Sequence, residues 1–82
     1  MEHDRDQIRL VEALRSYLAA RAHAGDGLDG IIRWWLPGFE PLPEPEAVIR
    51  ALRQLESEGW VTQRLVAAQP WWRSTGRSGG QP

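Results

Sequence analysis

The stretch AVIRALRQLESEGWVTQR, residues 47–64, changes its pattern of apolar residues partway along. Its first part repeats apolar side chains at the spacing of one helix face, at Val48, Ala51, Leu52 and Leu55. Gly59 follows, and glycine often ends a helix just past its last turn. Residues 60–66 then mix β-branched and aromatic side chains with polar ones, which is typical of a strand. The stretch therefore predicts a helix that leads directly into a strand.

The sequence on either side completes a helix and a hairpin. Pro45 suits the first position of the helix, which we expect to run to about Glu58. Residues 67–70 are predicted to form a turn, and residues 71–73 a short returning strand that pairs with residues 60–66. Apolar residues do not alternate cleanly along this hairpin, so the sequence does not indicate which of its faces is buried.

Two more helices are predicted upstream. Residues 4–24 carry apolar side chains at helical spacing, and Gly25 is expected to end that helix. In the second helix Asp26 is expected to be the N-cap, with Asp29 three residues on, as in a capping box. The Pro-Gly pair at 37–38 ends this helix. The predicted core consists of the inward-facing apolar side chains, namely Ile8, Val11, Leu14, Leu18, Leu28, Ile31, Ile32, Trp35, Val48, Leu52 and Leu55, with some of Trp60, Trp71 and Trp72.

Residues 25–30, GDGLDG, match the G-x-G-x-x-G pattern of dinucleotide-binding turns letter for letter. A binding turn of that kind follows a strand and opens a helix within a βαβ unit, whereas this one follows a predicted helix. Its aspartates would also repel the phosphates of a dinucleotide. We therefore interpret the stretch as the end of one helix and the cap of the next, without a cofactor.

Composition narrows the classes of protein. A chain of 82 residues is one small domain, too short for a cofactor-binding α/β domain with a substrate pocket. The absence of cysteine excludes disulfides and thiolate chemistry. All 10 basic residues are arginine, and the net charge of -1 lacks the basic excess usual in nucleic-acid-binding domains. No apolar run is long enough to span a membrane and the polar start is no signal peptide, so a cytoplasmic protein is expected.

Three helices followed by a two-stranded hairpin are the order of a winged-helix domain. Residues 47–64, with the run LESEGW at 55–60, resemble the third helix and first wing strand of bacterial regulators of the MarR and GntR kinds. The resemblance implies a mainly α fold with a small β-hairpin (α+β), in which residues 1–73 form a three-helix winged-helix-like domain. Residues 74–82 are expected to be a disordered tail. Winged-helix domains bind DNA or other proteins, so the fold alone does not decide the function.

The connection between the second and third helices favours protein binding. A DNA-reading helix-turn-helix joins these helices by a tight turn, whereas residues 37–44 are longer and rich in proline. Trp35 shares the core face of the second helix, so its neighbour Trp34 points away from that face. In so small a domain we expect the proline-rich segment, Trp71 or Trp72 to cover Trp34. If none of them does, Trp34 is the best candidate to anchor a partner. The candidate partner-binding residues are Trp34, Pro37, Phe39, Pro41 and Pro43.

The outward face of the third helix supports an alternative function. Arginine can read guanine and glutamine can read adenine in the major groove, while hairpin arginines could hold phosphate. The candidate DNA-binding residues are Arg50, Arg53, Gln54, Ser57, Arg64 and Arg73. The same residues also suit an ordinary solvated face. The hairpin turn AAQP at 67–70 has no basic residue, and glutamates crowd the start of the helix, so we favour the protein-facing interpretation.

No serine, histidine and carboxylate are spaced in the sequence in a way that suggests a catalytic group. His3 and His23 are far apart in the sequence and no cysteine accompanies them, so a metal site is not expected. We therefore expect a protein that is not an enzyme and uses no cofactor, metal ion or small-molecule substrate. The expected function is a protein-interaction or adaptor module in a bacterial cytoplasmic assembly, bound to a larger protein or to a second copy as a homodimer. The alternative is a small winged-helix transcriptional regulator that reads DNA with the third helix.

Overall fold

A computed structural model of the chain, which describes residues 2–39 and 41–76, contains three helices and a three-stranded antiparallel sheet. In chain order the elements are α1 (Glu2–Ala20), β1 (Gly25–Gly27), α2 (Leu28–Trp34), α3 (Pro45–Ser57), β2 (Val61–Val66) and β3 (Gln69–Ser74). The strand order is β1-β3-β2, so β3 is the central strand. The expected mixture of helix and sheet is confirmed. Within the described ranges, no helix has both the length and the apolar character that a membrane crossing requires.

The helices pack against one face of the sheet. Val61 lies opposite Ser74 and shares its face with Trp72, and all three side chains are buried. The stripe predicted for α3 is confirmed, because its four apolar side chains are all fully buried. The buried apolar side chains form one cluster, made of Leu10, Val11, Leu14, Leu18, Ile31, Ile32, Trp35, Leu36, Val48, Ala51, Leu52, Leu55, Trp60, Val61 and Trp72.

The first helix is shorter than the sequence predicts, and its buried face includes Val11, Leu14 and Leu18 as predicted but not Ile8. It ends at Ala20, and the following residues form a turn in which Ala24 donates its N–H to the carbonyl of Arg21. The prediction that Ile8 belongs to the core is wrong, since Ile8 is 58% exposed while Leu10 is 2% exposed. Residues two apart lie about 200° apart around a helix, so a helix that buries Leu10 turns Ile8 towards solvent.

The first half of the glycine-rich stretch is a strand, which the sequence did not predict. Gly25–Gly27 pairs antiparallel with β3, with Asp26 opposite Trp72, and the N–H of Ser74 donates to the carbonyl of Ala24 at 2.8 Å. The prediction that Asp26 caps α2 is therefore wrong, because Gly27 holds the N-cap position without a side-chain hydrogen bond. The indole Nε1 of Trp71 lies 3.0 Å from where a Cβ on Gly25 would stand. Glycine at position 25 therefore leaves room for the Trp71 ring on the outer face of the sheet.

The hairpin is longer than predicted, and its turn is tighter. The last strand starts at Gln69 and not at residue 71, so the loop between β2 and β3 consists of Ala67 and Ala68 alone. Both alanines have positive φ, 52° and 66°, as a two-residue type I′ turn requires. At its other end, β3 includes Ser74, the first residue of the predicted tail. Residues 77–82 of that tail lie outside the described residues.

The alanines of the turn lead to a prediction about stability. Residues other than glycine, asparagine and aspartate are strained at positive φ, and substitution by glycine relieves that strain. We expect Ala68→Gly to raise the free energy of unfolding by about 0.5–1 kcal/mol, measured by urea denaturation. The matched control is Ala19→Gly on the exposed face of α1, which should lower it by about 1 kcal/mol. A loss of stability in both variants would contradict the assigned turn.

Candidate functional site

Two adjacent tryptophans at the end of α2 have opposite environments. Trp34 is 71% exposed, whereas Trp35 is 2% exposed. The difference follows from the helix period, because Ile31 and Ile32 bury one side of this short helix and Trp35 continues that side. The Trp35 ring stacks on Tyr17 of α1, with ring centroids 4.9 Å apart and planes inclined by 14°. The backbone that carries Trp34 is therefore fixed by core packing while its own ring faces solvent.

Trp34 borders a shallow groove between the end of α1 and the edge of the sheet. The residues along it include Tyr17 from α1, Arg21 and His23 from the segment that follows α1, and Asp26 from β1. The guanidinium of Arg21 lies 4.2 Å from the centroid of the Tyr17 ring, on the stack that continues to Trp35. Neither the proline-rich segment nor the hairpin tryptophans cover Trp34, since it keeps 71% of its surface. The expectation that Trp34 is covered is therefore wrong.

The Asp26 carboxylate forms one wall of this groove. Its Oδ1 accepts a hydrogen bond from the N–H of Gly27 at 2.8 Å. A Cβ on Gly30 would collide with the same carboxylate, so glycine at position 30 makes the space that Asp26 fills. The glycines of GDGLDG thus accommodate Trp71 on one side and Asp26 on the other. A carboxylate stands where a phosphate-binding turn would need open N–H groups.

The other candidate partner-binding residues lie away from Trp34. Pro37 is exposed in the turn after α2, and Phe39 is half-buried against the core with the guanidinium of Arg9 4.5 Å from its ring centroid. Pro41 and Pro43 line a separate cleft of about 540 Å³ between the first half of α1 and the start of α3. The structure therefore places Trp34 on one surface and Phe39, Pro41 and Pro43 on another, while Pro37 lines neither.

The candidate DNA-binding residues also separate into two groups. Arg50, Arg53, Gln54 and Ser57 are all exposed on α3. The sheet register places Arg64 opposite Trp71 and Arg73 opposite Thr62, on the face that points away from the helices. The two hairpin arginines therefore do not extend the basic surface of α3.

Glu58, the residue that follows α3, connects this end of the helix to α1. Glu58 accepts a hydrogen bond from Gln54 Nε2 at 3.1 Å and forms an ion pair with Arg15 of α1 at 2.7 Å. Ser57 donates its hydroxyl to the carbonyl of Gln54 at 2.7 Å. Two of the four α3 candidates are thus engaged in bonds within their own helix. Among the described residues, no three histidine, aspartate or glutamate side chains are grouped to hold a metal ion.

Sequence reasoning missed the apolar surface of the hairpin. Leu65 is 71% exposed and Val66 is 46% exposed, and they lie on opposite faces of β2. The irregular alternation of apolar residues along residues 60–66 was the available signal. Because apolar side chains are exposed on both of its faces, this end of β2 extends beyond the hydrophobic core.

Comparison with known proteins gives no family. No family model matches the chain, and neither a curated protein nor a solved structure is significantly similar to it. The exposed surfaces, and the fold that carries them, therefore provide the basis for inferring a function.

The tryptophan pair leads to a direct test of which side chain is structural. Trp35→Ala should lower the free energy of unfolding by about 3–5 kcal/mol, because it empties a buried site and removes the stack on Tyr17. Trp34→Ala should change it by no more than about 0.5 kcal/mol, since the ring is mostly exposed. Urea denaturation of both variants makes the comparison. A large loss in Trp34→Ala would show that Trp34 is part of the core.

Proposed function

We propose that this chain is a non-catalytic protein-interaction module of winged-helix type, which acts in a bacterial cytoplasmic assembly and uses Trp34 as its anchor. The observation that carries the proposal is a tryptophan that is 71% exposed on a helix whose other side is held in the core. Tryptophan is enriched among residues that dominate binding energy at protein interfaces. An exposed indole on a rigid base loses little conformational entropy when a partner covers it.

The order of the elements supports the winged-helix part of this proposal. Three helices precede a two-stranded hairpin, and α3 leads into β2 through Gly59. Strand β1 lies between α1 and α2 without changing that order, and it connects the first loop to the hairpin through β3. The arrangement agrees with the resemblance of residues 47–64 to the third helix and wing of MarR-type and GntR-type regulators.

The surroundings of Trp34 fit a protein partner. The groove beside it carries Arg21 at one side and Asp26 at another, so a polar rim surrounds an aromatic centre. Protein interfaces commonly combine an apolar, aromatic centre with such a rim. The cleft beside Pro41 and Pro43, whose lining is partly apolar and partly charged, offers a second contact surface, where Leu42 is 52% exposed. The proposed partner is a larger protein that covers Trp34.

A second candidate function is DNA binding through α3. The observation in its favour is that Arg50, Arg53 and Gln54 are exposed together on one helix. Against it stand the net charge of -1 and a hairpin turn made of two alanines. The arginines of the hairpin, on the outer face of the sheet, add nothing to this surface. We therefore rank it second.

The test of the first proposal compares Trp34→Ala with wild type in quantitative co-purification from cells of the source organism. Trp34→Ala should reduce recovery of the specific partner at least about tenfold, as expected for a hot-spot residue. Ile8→Ala is the matched control, because Ile8 is also an exposed apolar side chain and lies on α1 away from the Trp34 groove. Equal recovery with all three proteins would contradict the role assigned to Trp34.

The DNA-binding candidate makes a different prediction. A mixed-sequence duplex should bind wild type at low salt, and added salt should weaken binding steeply because phosphate contacts release counterions. The double variant Arg50→Ala with Arg53→Ala should abolish that binding, while Trp34→Ala should leave it unchanged. Fluorescence anisotropy of a labelled duplex measures all three. An absence of binding to the wild type at low salt would remove this candidate.

A further inference from the structure

The sheet has two edge strands, β1 and β2, and β3 also extends beyond the end of β1. Open strand edges present unpaired N–H and C=O groups that can pair with another chain, and proteins commonly protect them. At the β1 edge, the strand is only three residues long, and the N–H of Gly27 is bonded to the Asp26 carboxylate. That edge offers little to an incoming strand.

Proline closes the part of β3 that extends beyond β1. In an antiparallel ladder, alternate residues direct their N–H and C=O groups to opposite neighbours. Ser74 donates its N–H to Ala24 on the β1 side, so Trp72 and Pro70, two and four residues earlier, also point to that side. Because β1 ends at Gly27, opposite Trp71, Pro70 meets no strand there. Proline has no N–H to offer, so it protects this edge.

The outer edge of β2 lacks such protection. The same alternation directs the N–H and C=O groups of Thr62, Arg64 and Val66 towards β3. The groups of Gln63 and Leu65 point away from the sheet and have no hydrogen-bond partner among the described residues. The strand has no proline, and Arg64 is its only charged residue. Leu65, at 71% exposure, adds an apolar side chain to this edge.

We propose that the β2 edge pairs antiparallel with the β2 edge of a second copy of the chain, which joins the two sheets across a twofold axis. In the register centred on Gln63, Gln63 pairs with Gln63 of the second copy, and Leu65 pairs with Val61 of the second copy. Both pairs use the outward backbone groups. The symmetry repeats each contact, as an interface between two identical surfaces requires.

The charges of the strand favour a second copy as the occupant. In this register Arg64 lies opposite Thr62 of the second copy, so no like charges meet across the new pair. A register centred on Arg64 would place Arg64 opposite Arg64 of the second copy and cost stability. A slip of one strand by a single residue would set Gln63 opposite Arg64, whose backbone groups point towards β3, and would break the pairing. The net charge of -1 adds little long-range repulsion between two copies.

Residue-resolved amide exchange tests the pairing directly. In the monomer, the amides of Thr62, Arg64 and Val66 should exchange slowly because they are bonded to β3, whereas those of Gln63 and Leu65 should exchange fast. On raising the concentration from about 10 µM to about 1 mM, protection of the Gln63 and Leu65 amides should increase at least about tenfold. Sedimentation velocity should show a dimer over the same range. A monomer at the highest concentration, with both amides unprotected, would overturn the proposal.

A proline substitution separates this edge from the rest of the molecule. Gln63→Pro removes an N–H that points away from β3, so the domain should fold and remain monomeric at every concentration. Gln63→Ala is the matched control, because it keeps the backbone N–H and should dimerise like wild type. A dimer that persists in Gln63→Pro would also overturn the proposal.

A second variant keeps the test decisive if Gln63→Pro does not fold. Leu65→Lys changes an exposed side chain and adds a like charge to each copy, so it should weaken the dimer at least about tenfold without unfolding the domain. Dimerisation of Leu65→Lys with the affinity of wild type would contradict the proposed contact. Trp34→Ala should dimerise normally, so failure of the Trp34 proposal and failure of this one give different results.

Discussion

The pairing of Gly25–Gly27 with β3 fixes the position of most other elements. It connects the loop after α1 to the hairpin, and it places the first residue of α2 directly at the sheet. The central strand then carries Trp72 into the core and Trp71 over Gly25 on the opposite face. Without this pairing, α2 would not be held between α3 and the sheet, and Trp35 would lose the fixed backbone that stacks it on Tyr17.

The sequence predicts the parts of the fold that depend on local patterns. The stripe of α3 and its end near Gly59 follow from helical spacing and from one glycine, and the structure confirms both. Strand β1 could not be predicted in this way, because Gly-Asp-Gly has low strand propensity and locally favours a turn or a cap. Its conformation comes from hydrogen bonds to residues about 46 positions away in the chain, as the Asp26–Trp72 pair shows. Packing against distant segments likewise decides which face of α1 is buried, since Ile8 and Leu10 are both apolar and the local pattern does not select between them.

The sequence also predicts the candidate site only in part, because local patterns do not fix contacts with distant segments. The helix period separates Trp35 from Trp34, but it does not say whether another segment covers the outward ring. That depends on the path of the proline-rich connection. Phe39 packs against the core under Arg9, and the prolines that follow lie against the first half of α1. The connection therefore runs away from the Trp34 groove, which is bordered by the other end of α1.

The strand order places the two proposed contact surfaces at opposite ends of the sheet. The Trp34 groove includes residues of β1 at one edge, and the unprotected backbone groups of β2 lie at the other. A dimer joined through β2 would therefore carry its two Trp34 grooves at the far ends of a continuous sheet, with neither groove blocked by the pairing. A partner with two suitably spaced copies of its own site would then bind both grooves, and the second contact would form at a high effective concentration. Weak contacts at each small groove would then be sufficient for stable assembly, which suits a domain that has few residues to spare for a large interface.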